Sequence, residues 1–401
     1  MTRLATLVAL LLLVLGACTR ENDGNTYRDT RDPDAVADDT ASPDDGQGKD
    51  PGPGDDGVTP DAADDPGTDP GTPEDTATPD TSTPAPVELL AEASLDDKTS
   101  LKGLLKVIDE ATTTIDLAHF EANSDHGSVK AVLNELIQAH ARGVTVRALF
   151  DDEEDLLAEN QAAVDYLAAQ GVTARLDGAS RTLHVKMVVV DRKTVLFGST
   201  NLSETSLKYS HEANLLVRDA LVGQKAAEYF QKLWDQPGTS QDLPRAQTAH
   251  VTVAFDSDTA DLLRERIRAA SDRVLLVYYD ISLASDEVQT AMDELVAAKN
   301  RGCQVSVILE KNDWSGTPND INAETAAWLK GKGVQVLADP IAEQTHAKLA
   351  IVDDQVVVSS GNLSYTSLYQ DHEMAGVTAD PAVLAEALDF FQALKAVSAV
   401  Y

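Results

Sequence analysis

Apolar and polar positions along the chain fall into two alternating rhythms, and the rhythm occurs twice. ATTTIDLAHF (111–120) and SDRVLLVYYD (271–280) are short apolar runs and read as candidate buried strands. VKAVLNELIQAHARGVTVRALFD (129–151) and VQTAMDELVAAKNRGCQVSVILE (288–310) each begin with helix-spaced apolar residues, reach Arg-Gly, and continue as an apolar strand. Gly143 and Gly302 stand where a helix C-terminus calls for a left-handed backbone. NQAAVDYLAAQGVTARL (160–176) and NAETAAWLKGKGVQVLA (322–338) repeat the scheme, closing at Gly171 and Gly333. Each set is followed by a Val-rich hairpin: MVVVD, a turn at Asp191-Arg192-Lys193 and TVLFGS in the first, LAIVD, a turn at Asp353-Asp354-Gln355 and QVVVSS in the second.

Each half therefore reads strand, helix, strand, helix, strand and hairpin. This is an α/β fold of two similar sandwich halves, with mixed β-sheets flanked by helices, packed face to face about a pseudo-two-fold axis. The expected boundaries are residues 87–235 for the first half, 236–250 for a polar linker and 251–401 for the second half. The helix ALVGQKAAEYFQKLWDQ near the end of the first half is matched by PAVLAEALDFFQALKAV near the end of the chain.

The N-terminal 86 residues are different material. MTRLATLVALLLLVLGACTR places Arg3 before an apolar run ending at Leu15-Gly16-Ala17-Cys18, a secretory signal that resembles a bacterial lipoprotein leader. That resemblance implies a leader over residues 1–18, acylation at Cys18, and export to the cell envelope. An ordinary signal cut near Ala17 or an uncleaved anchor is the alternative. Residues 19–86 hold 11 of the 16 prolines, 19 acidic and 4 basic residues, and almost no large apolar side chains. Such a segment cannot offset its ordering entropy and reads as a disordered, extended tether. Its aspartates lack calcium-loop spacing. With Cys18 acylated, Cys303 has no partner and reads as a small buried hydrophobe. Residues 87–401 carry 27 basic and 48 acidic residues. That balance disfavours nucleic acid as a partner without excluding it.

The candidate chemistry is also duplicated. His184, Lys186 and Asp191 form His-x-Lys-x4-Asp, and His346, Lys348 and Asp353 repeat it. GSTNLSETSL then supplies Ser199 and Asn201, and SSGNLSYTSL supplies Ser360 and Asn362. His211-Glu212 and His372-Glu373 follow, 28 and 27 residues from the motif histidine to the glutamate. Residues two apart on a strand share a face, so each His/Lys pair points one way. The aspartates, at an odd offset, face away or sit in the turn and are expected to play a supporting part.

These paired motifs resemble the phospholipase D superfamily over essentially all of residues 87–401. One departure is Ser359-Ser360 where the first copy has Gly198-Ser199. The resemblance implies a phosphodiester substrate, no metal or other cofactor, and one active site built from both halves, so that a monomer suffices. It places His184, Lys186, Asp191, His346, Lys348 and Asp353 in the catalytic motifs. One histidine, by family custom His184, attacks phosphorus, and the other, His346, exchanges protons; the sequence itself does not break the symmetry. Lys186, Lys348, Asn201 and Asn362 would bind phosphoryl oxygens, with Ser199 and Ser360 in support. Glu212 and Glu373 would orient the rings.

Four activities fit this pattern. The first is phospholipid hydrolysis to phosphatidic acid and an alcohol by a tethered enzyme. The others are nuclease action, phosphatidyl transfer as in a cardiolipin synthase, and non-catalytic lipid or anion binding. Among other residues, His211 and His372 are read equally as pocket-positioning or backbone-bonded. His119 reads as a satisfied core histidine, and His126, His140 and His250 as surface residues. The run Asp151–Asp155 reads as a solvated acidic loop, Trp314 as a loop residue and Trp328 as core.

Overall fold

The computed structural model describes residues 86–94, 99–241, 243–312, 320–340 and 343–401. The expected leader with Cys18, the acidic tether up to residue 85, and Trp314 lie outside the described residues.

The first half runs β1 (Val87–Ala91), α1 (Thr99–Asp109), β2 (Thr114–His119), α2 (Gly127–Ala141), β3 (Thr145–Phe150), α3 (Leu157–Ala168) and β4 (Thr173–Leu176). It continues through β5 (Lys186–Val190), β6 (Thr194–Gly198), α4 (Glu204–Lys208), β7 (Ser210–His211), β8 (Ala213–Arg218) and α5 (Ala220–Asp235). The second half runs β9 (Ala246–Gln247), β10 (Val251–Phe255), α6 (Asp258–Ala269), β11 (Arg273–Tyr278), α7 (Asp286–Asn300), β12 (Gln304–Leu309), α8 (Ala323–Gly331) and β13 (Gln335–Ala338). Then come β14 (Gln344–Thr345), β15 (Lys348–Val352), β16 (Gln355–Ser359), a π-helical turn (Thr366–Gln370), β17 (Met374–Thr378), α9 (Pro381–Val397) and β18 (Ala399–Val400).

Each half is built on a mixed sheet. The first has the order β1-β8-β6-β5-β2-β3-β4, and the second β18-β13-β12-β11-β15-β16-β17-β10-β9. β2, β3 and β4 are parallel, as are β11, β12 and β13, and the motif strands β5 and β15 run antiparallel beside β2 and β11. The unbroken apolar runs follow from coverage of both faces. In β5, Met187 and Val189 enter the core shared by the two halves, while Val188 and Val190 face the outer helices. In β15, Leu349 and Ile351 face the shared core, and Ala350 and Val352 the outer one.

The outer helices bury stripes at helical spacing: Val129, Val132, Leu133 and Leu136 on α2, and Val288, Ala291, Met292 and Leu295 on α7. The glycines after these helices, Gly143 and Gly302, have φ of 95° and 106°, as their positions demand. α5 and α9 are capped alike, with Asp219 accepting from the amides of Leu221 and Val222, and Asp380 from those of Ala382 and Val383. Their aromatic faces, Tyr229 and Phe230 on α5 and Phe390 and Phe391 on α9, lie in the shared core with the inner sides of both sheets. That core makes the two halves one body.

The fold adds to the sequence reading. A strand and helix precede the expected first strand in each half (β1–α1 and β10–α6), and a further strand follows each hairpin (β8 and β17). The polar linker over residues 236–250 is held against the second half. β9 pairs with β10, the Gln241 amide donates to Asp256, and Arg245 pairs with Asp258 and Glu265, both at 2.7 Å. Cys303 is buried among apolar neighbours, as expected. Trp328 is half-buried at the margin of its cluster rather than inside it.

Candidate active site

The parallel strands of each half end at the same edge. Lys186 is in register with His119 at the end of β2, and Lys348 with Tyr278 at the end of β11. The motif histidines stand two residues earlier, on the loops entering β5 and β15, so both His/Lys pairs sit beyond the carboxyl ends of the parallel strands, where open α/β sheets bind ligands.

The motif aspartates, grouped with the catalytic motifs but expected in a supporting part, lie elsewhere, at the hairpin turns. Asp191 lies five residues past Lys186, about 16 Å along the strand. Its carboxylate accepts from the amides of Thr112, Thr113 and Thr114 and from both threonine hydroxyls. Asp353 does the same for the amides of Ser271, Asp272 and Arg273. Both have positive φ, 52° and 53°, at the hairpin turn. They fasten the start of the neighbouring strand, so their part is support of the fold.

Main-chain bonds stitch the two halves at the site. The His346 amide donates to His211 O at 3.0 Å, the His372 amide donates to Thr182 O at 2.9 Å, and β7 pairs with β14 in parallel. Across this seam the glutamates exchange partners. His184 Nδ1 meets Glu373 Oε1 at 2.6 Å, and His346 Nδ1 meets Glu212 Oε1 at 3.0 Å. Each ring is thus held by the carboxylate of the opposite half. Ser199 Oγ donates to Glu212, and Ser360 Oγ to Glu373; each serine also accepts from the following strand, from Ala213 N at 2.9 Å and Met374 N at 3.0 Å. Gly198 resolves the Gly/Ser departure between the copies. A Cβ there would stand 2.4 Å from Ala213 O, whereas Ser359 uses its hydroxyl to accept from Gly361 N at 3.0 Å.

With Nδ1 occupied, each imidazole keeps Nε2 for chemistry. Both lysines are buried. Lys348 Nζ donates to His346 O at 2.6 Å, and Lys186 Nζ donates to His184 O. Burial pulls the Lys186 ammonium down to about 8 and that of Lys348 to about 7, although Glu212 and Glu373 oppose the shift. Burial, with Lys186, Lys348 and His346 nearby, holds His184 well below its ordinary value. Burial also lowers His346, but Glu212 pulls the other way. For Glu212, burial is outweighed by His346, Lys348 and Ser199, which keep it ionised, whereas burial raises Glu373 to about 7. The site thus brings two lysines, two imidazoles and the carboxyls of Glu212 and Glu373 together.

Asn201 lines the cleft with Phe120, Glu121, Ser203, Gln344 and His346. Oδ1 of Asn201 and of Asn362 has no hydrogen-bond partner within the described residues.

The structure also brings in residues that sequence reasoning missed. Phe120 lies 4.8 Å from the His184 ring and Tyr279 lies 5.2 Å from the His346 ring, between centroids. The ammonium of Lys186 lies 4.8 Å from the Phe120 centroid and that of Lys348 5.4 Å from Tyr279. These aromatics follow β2 and β11, and their matched positions in the repeat were the available signal. Asp256 is wholly buried. It accepts from Tyr229 Oη at 2.6 Å, bonds His372 Nδ1 at 3.2 Å, and donates its amide to Glu373 O at 2.8 Å. Nothing in the local sequence marked it.

His211 and His372 are loop fasteners. His211 bonds Glu92 O at 2.8 Å and Glu343 at 2.9 Å; His372 bonds Asp256 and Pro237 O. His119 is buried but not satisfied: its Nδ1 has no partner among the described residues, and burial beside Lys186 lowers it to about 3. Of the acidic run, Glu153, Glu154 and Asp155 are exposed, but Asp151 departs from the solvated reading: it is buried and accepts from the Leu183 amide at 2.5 Å.

Comparison with known proteins agrees with this geometry. The family described as "Cardiolipin synthase, PLD-like domain" matches residues 104–234 and 263–395, one match in each half. Mitochondrial cardiolipin hydrolase of Chlamydomonas reinhardtii is 26% identical over 138 residues, covering 34% of this chain and 58% of that protein. The Mus musculus protein of that name is 27% identical over 156 residues, covering 38% and 67%. A phospholipase D of Rickettsia conorii is 28% identical over 103 residues, covering 26% and 48%. The chain thus spans about half to two thirds of the length of these relatives. Phosphatidylserine synthase of Haemophilus influenzae shares the fold with a TM-score of 0.61 at 13% identity, covering 79% of this chain and 87% of that one. Polyphosphate kinase of Porphyromonas gingivalis does so with 0.53 at 14% identity, covering 76% and 46%. With a family match in each half, the chain belongs to the phospholipase D-like family.

Proposed function

We propose that the protein is a phosphodiesterase of the phospholipase D type that hydrolyses phospholipids to phosphatidic acid and a head-group alcohol. The observation that carries this reading is the crossed pairing of His184 with Glu373 and His346 with Glu212, beside two buried lysines. It leaves two Nε2 atoms and two ammonium groups for one phosphodiester.

His184, the ring held more firmly neutral, attacks phosphorus through Nε2. The P–O bond to the head group breaks as the P–N bond forms, and His346, supported by ionised Glu212, gives its proton to the departing oxygen. His346 then takes a proton from water, the hydroxide attacks phosphorus, and His184 leaves with its lone pair restored. Lys186, Lys348, Asn201 and Asn362 stabilise the charge on the non-bridging oxygens.

Support for a lipid substrate comes from relatives named as cardiolipin hydrolases and phospholipase D, while the net acidic charge of residues 87–401 counts against nucleic acid. We further propose export, with acylated Cys18 anchoring the protein in a bacterial envelope and residues 19–86 spacing the enzyme from the membrane. Incubation with labelled phosphatidylcholine, cardiolipin and single-stranded DNA, with chelator present, tests the substrate class. Phosphatidic acid or a phosphatidyl product from either lipid is expected. Cleavage of DNA alone overturns the lipid assignment, and no turnover of any substrate favours a binding module.

A further inference from the structure

Each half carries a buried pair of carboxyl groups beneath the loop that delivers its motif histidine. In the second half Glu310 follows β12 and Asp339 follows β13. The Thr345 amide donates to Glu310 Oε2 at 2.7 Å and to Asp339 Oδ2 at 3.2 Å. The Lys311 amide donates to Glu310 Oε1 at 2.8 Å and to Asp339 Oδ1 at 3.2 Å. Two carboxyl groups that share two donors are immediate neighbours, and these are 0% and 3% exposed.

In the first half Asp151 follows β3 and Asp177 follows β4. Asp151 Oδ2 accepts from the Leu183 amide at 2.5 Å and Oδ1 from the Glu153 amide at 2.7 Å. Asp177 is 7% exposed, and neither of its carboxyl oxygens receives a hydrogen bond from the described residues. In both halves the amide that is held belongs to the residue just before the motif histidine: Leu183 before His184, and Thr345 before His346.

We propose that Glu310–Asp339 is a proton-sharing positioning pair that holds the shoulder of the second motif loop and so fixes where the His346 imidazole sits; in the first half Asp151 alone holds the matching amide. Adjacent carboxyl groups out of water do not both stay charged, so the pair retains a proton. Burial and Glu310 raise Asp339 to about 9. The pair lies near Lys311 and near Tyr401, whose ring is 5.7 Å from the Lys311 ammonium and whose hydroxyl bonds Asp320.

The sign of the pH effect follows. A carboxyl group raised on folding binds more protons folded than unfolded between its ordinary value and its folded one. Its contribution to stability is complete below about pH 4 and is lost as pH rises through the folded value. Asp339→Asn imitates the protonated form and removes that loss.

The test is the thermal midpoint of the full chain from pH 5 to 9.5, parent against each variant, with turnover of bis(p-nitrophenyl) phosphate measured alongside. The midpoint difference, variant minus parent, is expected to climb with pH. The rate ratio is expected to be flat to about pH 7 and to rise several-fold by pH 9. A midpoint difference independent of pH overturns the proposal. Asp339→Ser, smaller but still a donor, replaces an asparagine variant that does not fold. The catalytic readout rests on the phosphodiesterase reading, whereas the midpoints do not: a parent without turnover sinks that reading and leaves this test standing.

Discussion

At the scale of single residues, the duplicated motif separates side chains that do chemistry from those that hold the frame. His346→Ala is expected to lower turnover of a phospholipid about 10²- to 10⁴-fold while leaving the circular dichroism spectrum unchanged. Asp191→Asn is expected to behave oppositely. Its carboxylate holds three amides at the start of β2, so the variant loses about 1–3 kcal/mol of stability in urea unfolding, with kcat per folded molecule preserved. A loss of kcat without loss of stability would return Asp191 to the active site. The hydrogen bonds that lower Asp191 also set a pH signature: its stabilisation is present above pH 4 and fades as the solution is acidified. The lysines set the alkaline side. Lys348 falls to about 7 and Lys186 to about 8, and both must be charged to receive a phosphodiester. The kcat/KM profile is therefore expected to decline from about pH 7 upward, and a flat profile to pH 9 contradicts their role. The identities of these residues were legible in the sequence because the repeat displayed each twice. Their partners were not: the exchange of Glu212 and Glu373 depends on how one half meets the other, and no spacing within a half encodes it.

At the scale of elements, hydrophobic rhythm placed the parallel strands, the outer helices and the hairpins, because each has its own period. It did not mark β1 and β8 as partners, since antiparallel pairing between residues 87–91 and 213–218 is a long-range event. α1 carries a legible stripe of Leu104, Val107 and Ile108, yet it stands before the first repeated segment and was passed over for that reason. The linker misled in another way. Polar composition gave only a linker, whereas the Gln241 main-chain amide binds the buried Asp256 carboxylate and the Arg245 side chain binds Asp258. A close approach of the two sheets likewise depends on tertiary packing. A Cβ on Gly376 of β17 would lie 2.7 Å from Phe197 and 3.0 Å from Leu215 in the first half. Gly376→Val is thus expected to force the sheets apart, costing about 1–3 kcal/mol in denaturant unfolding. Because the site straddles that seam, activity should fall even under conditions where the variant remains folded. Unchanged stability and activity would mean that the sheets do not meet there.

At the scale of the whole molecule, two sheets, one shared core and one chain place a pair of histidines in a single site. The pseudo-symmetry is broken where the chemistry needs it: Glu212 stays ionised beside His346, while burial raises Glu373 beside His184 to about 7. We propose on that division that covalent attack belongs to the first half and proton transfer to the second. The most direct measurement uses His346→Asn with bis(p-nitrophenyl) phosphate, whose leaving group departs without a proton donor but whose adduct still needs a base for hydrolysis. Peptide mapping by mass spectrometry under mildly alkaline conditions should find one acid-labile phosphoryl adduct per chain, on His184. No adduct, or one on any other residue, contradicts the two-histidine site.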